Sequence, residues 1–333
     1  MRRAVMLLLA LCWALPASAQ VHGVAVQVSQ GQDIPTTAQI RQLTNPGDFV
    51  RDLAPWSRTD PDCDLTTVPG AAITIPPEMQ TLYNRVAQSG RKNFVTLGFN
   101  NVACGQVSAL GWLDFPNTPQ LRAEFAAYAV QLVQTVPQLA GISIWNEMNG
   151  AFSGGYTGAG SIPAKLKAYC QLANTVITEV RKVNPTIPIA IGASVGWNIQ
   201  GWFTNMFNKY GCMGKNDPII WLDVHPFISG IYGPTTGWAK WPKQIAYIRG
   251  KGINNPLIAT EWGGTAAVKW MKQVPDGNYP QEFQSRIILP DPSWMGLMWF
   301  EALVDTAIPK VGLIDSSGAL TPAGQDYVGT FVP

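Results

Sequence analysis

Eight short apolar runs separated by amphipathic stretches predict an α/β protein, a (β/α)8 TIM barrel built as a single domain. Three observations carry this. The runs are nearly continuous in apolar residues, as strands covered on both faces in a parallel sheet must be. They recur about every 39 residues along a chain of 333, against about 31 in a barrel of typical length, and long loops after strands 2, 4 and 7 absorb the excess. No low-complexity linker divides the chain, and one domain of this size is ordinary among such barrels. A doubly wound open sheet uses the same alternation and is the competing fold.

In chain order, the first segment reads as a processing signal. Arg2 and Arg3 precede an apolar run from Ala4 to Leu15, and Ala17-Ser18-Ala19 fits a small-residue cleavage site. The expected division is residues 1–19 as signal peptide and 20–333 as the barrel, exported to the periplasm or the medium. The strands are read at 21–28, 48–56, 93–99, 141–147, 188–195, 219–227, 256–262 and 295–303. Between them, Pro76-Pro77 opens a helix with Met79, Leu82, Tyr83 and Val86 on one face. A second follows Pro119, with Leu121, Phe125, Tyr128, Leu132 and Val136 as its stripe. Others are read near Pro163, Trp238 and Pro280, and a last one after Pro322. Gly90 and Gly250 stand where two of these helices close.

Composition excludes several classes. With Arg2 and Arg3 gone, 21 basic residues balance 21 acidic ones, so neither nucleic acid nor an anionic membrane is an expected partner. No later run is long enough to span a bilayer. Four cysteines lie beyond the leader, an even count that suggests disulfides in an exported chain. Cys63–Cys104 is the favoured pair, because both sit in adjacent irregular loops. Cys170 lies on a helical apolar stripe, where a buried thiol and a bridge to Cys212 both remain open. Two histidines and no ligand-spaced cluster leave no metal site to expect, and no cofactor is expected.

In a (β/α)8 barrel the chemistry sits at the C-terminal strand ends, so polar residues there are the candidates. Strand 2 offers Arg51, Asp52 and Trp56; strand 3 offers Asn100 and Asn101. Strand 4 offers Asn146 and Glu147, strand 6 Asp223 and His225, strand 7 Glu261 and Trp262. Strand 8 offers Trp299, with Glu301 and Asp305 just beyond. Glu147 and Glu261 are three repeats apart and therefore face one another across the mouth. Two opposed carboxyls suit glycosidic bond cleavage, one protonating the leaving oxygen and one attacking the sugar, at about 5–5.5 Å in retaining enzymes. Their mutual repulsion splits the two titrations into acid and nucleophile. Tryptophan faces bind sugar rings, which gives Trp56, Trp145, Trp262 and Trp299 a use.

Asn146-Glu147 at the end of strand 4 and Glu261 in TEWG at the end of strand 7 resemble the clan A retaining glycoside hydrolases. The resemblance covers essentially the whole barrel and is closest to the family 39-like branch, which includes bacterial exopolysaccharide hydrolases. It implies Glu147 as acid/base, Glu261 as nucleophile and Asn146 on the sugar 2-hydroxyl. It also implies Arg51 holding the nucleophile, His225 as the strand 6 residue of the site, and Trp299 under the reacting sugar. Asn100, Trp56, Trp262 and Glu301 complete the expected substrate contacts. Met148 stands where many members have Pro, a departure that bears on family and not on chemistry.

The expected function is thus retaining hydrolysis of a β-linked polysaccharide or oligosaccharide by a monomer, with endo action on an exopolysaccharide as its finer form. A non-catalytic polysaccharide-binding barrel is the alternative, distinguished by having no need of Glu261 opposite Glu147. A retaining transglycosylase would use the same residues. The motif Gly192-Ala193-Ser194-Val195-Gly196 matches a serine-hydrolase elbow, but no histidine follows His225 to complete a triad.

Overall fold

In the computed structural model the eight strands close into a parallel barrel in sequence order, β1 to β8, with β8 pairing back onto β1. The structure describes residues 21–106, 116–148, 162–195, 199–226, 241–263, 291, 293–300 and 312–332. The strands are β1 Val21–Ala25, β2 Phe49–Pro55, β3 Lys92–Gly98, β4 Leu139–Ile144, β5 Ile189–Val195, β6 Ile220–His225, β7 Leu257–Trp262 and β8 Trp294–Trp299. Each falls on one of the apolar runs, and the open-sheet alternative is thereby set aside.

The described helices are α1 Thr37–Leu43, α2 Trp56–Thr59, α3 Pro77–Gln88, α4 Pro119–Thr135, α5 Ile162–Val183, α6 Ile199–Asn208, α7 Trp241–Gly250 and α8 Pro322–Phe331. Their ends follow local chemistry. Thr118 accepts the Leu121 N–H at the start of α4, Thr321 accepts the Gly324 N–H at the start of α8, and in each a proline occupies the first turn, where its missing N–H costs nothing. The stripes predicted for α3 and α5 are the buried faces of those helices. The helix read near Trp238 begins at Trp241. The one read near Pro280 lies outside the described residues, as do residues 1–19.

Side chains alternate along each strand, so the barrel interior fills in layers. Phe49, Phe94, Ala190, Trp221, Ile258 and Met298 form an apolar floor. Gly141 belongs here because a Cβ would come within 2.7 Å of the Phe94 ring. Two residues further along the same strand faces, the layer turns polar: Arg51 above Phe49, Thr96 above Phe94, Ser143 above Gly141, Asp223 above Trp221 and Thr260 above Ile258. A larger apolar layer packs the outside of the strands against the helices.

Both disulfides are formed. Cys63–Cys104 joins the loop after α2 to the loop after β3, and Cys170–Cys212 joins α5 to the segment after α6. The bridge settles Cys170, whose free-thiol alternative is excluded. Each bridge closes a separation of 41 or 42 residues, and restricting the unfolded chain to that extent stabilises the fold by about 2–4 kcal/mol. The first bridged loop is also anchored by the buried carboxylate of Glu124 on α4, which accepts the N–H groups of Leu65 and Thr66.

Candidate active site

The polar layer and the strand ends above it converge on Glu147 and Glu261. Beyond β4 the chain leaves extended geometry at once: Trp145 and Glu147 both adopt left-handed backbone, with φ of 69° and 43°. That conformation is costly for residues with a Cβ and is held only where the surroundings impose it. Here Trp145 is anchored outward against Phe125, ring centroids 5.8 Å apart, and Glu147 is carried over the mouth. One carboxylate oxygen of Glu147, one of Glu261 and a ring nitrogen of His225 lie within 4.8 Å of one another.

Arg51 organises the nucleophile side. Its guanidinium is fully buried and forks three ways: Nη1 pairs with Glu261 Oε1 at 2.7 Å, Nε donates to Thr96 Oγ1 at 2.9 Å, and Nη2 donates to Asn146 Oδ1 at 3.0 Å. Only arginine has a fork that serves three such acceptors. Because the Asn146 oxygen is taken, its amide N–H groups are the part left for other partners.

His225 joins the two glutamates. Nδ1 lies 3.0 Å from Glu147 Oε1 and 3.5 Å from Glu261 Oε2, while Nε2 lies 2.9 Å from Thr260 Oγ1. Burial opposes charge on this ring. Glu261, the hydrogen bond to Glu147, and Asp223 outweigh that opposition and push it up to about 9. That shift favours the protonated ring at neutral pH. For Glu261 burial pushes the carboxyl up, Arg51 and His225 pull it down, and Glu147 and Asp223 push it up again; the net direction is up.

The packing buries several of the expected substrate contacts. Trp56 is fully buried at the start of α2, its ring edge-on to Phe125 and its indole N–H donated to Asp60. Trp262 packs outward on Phe331 of α8 at 5.8 Å. Trp299 is fully buried between Trp262 and Tyr327, at 4.9 and 5.7 Å. The reason is alternation: Met298 occupies the barrel floor, so Trp299 faces out and the next inner position is Phe300, which is half-buried. Arg51 and His225 are also fully buried and contact the glutamates. Asn100 is buried at the end of β3, and Glu301 lies outside the described residues. Asn146 and Glu147 keep partial exposure.

Thr96, Ser143, Thr260 and the working role of Asp223 were missed from sequence. The signal was available, since each stands two residues beyond a residue of the floor. The Gly192 of the elbow-like motif has a packing explanation: φ is 89°, and a Cβ would meet the Phe203 ring of α6 at 2.5 Å. The histidine such a motif would need is already engaged by Glu147 and Thr260.

No protein-family model matches the chain, and no curated protein sequence does. Solved structures do. A family 39 glycoside hydrolase from Bacteroides cellulosilyticus WH2 superposes with a TM-score of 0.64 at 19% identity, covering 93% of this chain and 63% of that one. The likeness is one of fold, the (β/α)8 barrel. A monomeric β-xylosidase from Caulobacter crescentus CB15 gives 0.60 at 15%, covering 92% of this chain and 66% of its own. A β-glucosidase from Exiguobacterium marinum gives 0.60 at 13%, covering 93% and 97%. The chain spans just under two thirds of the length of the first two.

Proposed function

We propose that this protein is an exported retaining glycoside hydrolase that cleaves a β-linked glycan by double displacement. The observation that supports this most is that a carboxylate oxygen of Glu147 and one of Glu261 lie within 4.8 Å of each other, in keeping with the short carboxyl separation of retaining enzymes. Glu261 attacks the anomeric carbon while Glu147 gives its proton to the departing oxygen, forming a glycosyl ester. Water then attacks the same carbon, Glu147 takes its proton, and the Glu261 carboxylate leaves. The imidazolium bond to Glu147 Oε1 is compatible with both states, because a protonated Glu147 still accepts there through its carbonyl oxygen. The Asn146 amide is assigned to the sugar 2-hydroxyl and Phe300 to the face of the reacting sugar.

The β-linkage is supported by the named activities of the neighbouring structures, a β-xylosidase and a β-glucosidase. With Trp56, Trp262 and Trp299 buried, the use of these rings for stacking on sugars loses support. An exopolysaccharide substrate is retained as the finer proposal from the resemblance that the strand 4 and strand 7 motifs carry, with endo action as its mode. Two disulfides favour an oxidising compartment, in keeping with a leader at 1–19.

The experiment is hydrolysis of aryl β-glucosides, β-xylosides and β-glucuronides together with β-glucans, mannans, xylans and bacterial exopolysaccharides. The first-formed anomer is followed by proton NMR. A β-anomer released first is the expected result, and product sizes separate endo from exo action. An α-anomer released first would sink the double displacement. Polysaccharide binding with no release would make the non-catalytic barrel the better account.

A further inference from the structure

β6 stacks Trp221, Asp223 and His225 on the inner face, and β7 brings Thr260 between the last two. Asp223 is fully buried, and among the described residues no lysine or arginine pairs with it. Its oxygens accept from Ser143 Oγ at 2.6 Å, from Thr260 Oγ1 at 2.9 Å to each oxygen, and from the Thr260 N–H at 3.2 Å. An ionised carboxylate only accepts, and a threonine hydroxyl has one proton to give. That proton goes to Asp223, so Thr260 turns a lone pair to His225, 2.9 Å away, and Nε2 must carry hydrogen. On the other side Nδ1 faces the carboxylates of Glu147 and Glu261, and it must carry hydrogen too. The groups facing the ring are thus Glu147, Glu261, Thr260 and, at 3.9 Å, Asp223, with Arg51 beyond Glu261.

We propose that Asp223, acting through the Thr260 hydroxyl, is a positioning residue that locks His225 as a doubly protonated bridge between Glu147 and Glu261. Thr260 works as a one-way adaptor: with a charged acceptor beneath it, it has no proton to offer the imidazole. Asp223 is the lowest charge of the stack and never meets the sugar. It sets how many protons the pair of glutamates and the histidine share. The catalytic consequence rests on the hydrolase reading, whereas the protonation state of His225 is measurable without any substrate.

The sequence makes that measurement direct, because it contains only two histidines. Burial pushes His22 down to about 4, so a charged His225 stands apart from it at pH 7. Protein made without a histidine tag is titrated by long-range proton–nitrogen NMR of the imidazoles, with His22→Asn to assign the signals. The wild type should show His225 with both nitrogens protonated at pH 7. In Asp223→Asn its midpoint should fall by about one pH unit or more, the effect of removing an opposite charge at this range. Thr260→Val should lower it as well, while Thr260→Ser keeps the wild-type midpoint. The basic limb of kcat/KM should move with the NMR midpoint.

A neutral His225 in the wild type at pH 7 overturns the proposal, as does an unmoved midpoint in a folded Asp223→Asn. If that variant does not fold, the Thr260 pair decides, and an unmoved midpoint in Thr260→Val is equally fatal. A wild type that hydrolyses no glycoside yet shows the charged His225 and its fall would remove the hydrolase reading and leave this one standing.

Discussion

Glu261→Gln should lower kcat/KM on any accepted aryl glycoside by about ten-thousandfold or more, because the variant removes the atom that forms the covalent bond. Folding must be checked alongside, since the amide leaves Arg51 and His225 short of a counter-charge. The cleaner comparison uses small nucleophiles. In Glu261→Gly, azide has room beside the Arg51 guanidinium and attacks the anomeric carbon itself, so a β-glycoside should give the α-glycosyl azide. In Glu147→Ala the glycosyl ester still forms from substrates with good leaving groups, and azide then attacks that ester to give the β-glycosyl azide. Exchange of the two products between the variants would reverse the assigned roles; rescue in neither would remove both residues from the mechanism.

The same residue sets a pH limit. Glu261 attacks only when ionised, and burial pushes its carboxyl up against the pull of Arg51 and His225. As pH falls through that raised value the nucleophile is protonated and activity is lost. The acid limb of kcat/KM should therefore stand above the ordinary glutamate value of about 4.3. A limb at or below that value would mean that Arg51 and His225 win over burial.

How much of this was legible depended on which periodicity carried it. The strands were readable because a parallel barrel buries both faces, and the stripes of α3 and α5 because one face of each meets the sheet. Glu147 and Glu261 were readable because a carboxyl ending a buried run needs a reason to be there. Trp299 shows the limit of such reading: its type and position near the mouth were taken into account, but not its parity. Trp299 and Met298 are neighbours in sequence, and only the floor position of Met298 shows which of them faces in. Thr260 was overlooked, and Asp223 was named without a task, because a polar residue inside a run looks like noise until the layer beneath it is known. Cys170 remained undecided because burial on a stripe suits a thiol and a bridge alike, and only the approach of the segment after α6 separates them.

Arg51→Met should destabilise the fold by about 3–5 kcal/mol, read from urea unfolding at pH 7, because it leaves a buried carboxylate without its partner. Three acceptors lose their donor at once: Glu261 Oε1, Thr96 Oγ1 and Asn146 Oδ1. Arg51→Lys should recover only part of the loss, since an ammonium is a point charge and cannot fork to all three. The informative variant is the double one, Arg51→Met with Glu261→Gln. A neutral amide needs no counter-charge, so the double variant should be more stable than Arg51→Met alone, although it lacks one more native group. Additive losses would mean that Glu261 is held chiefly by His225. Recovery in the double variant would locate the need for Arg51 in the charge of Glu261, so that stability and catalysis draw on one buried pair.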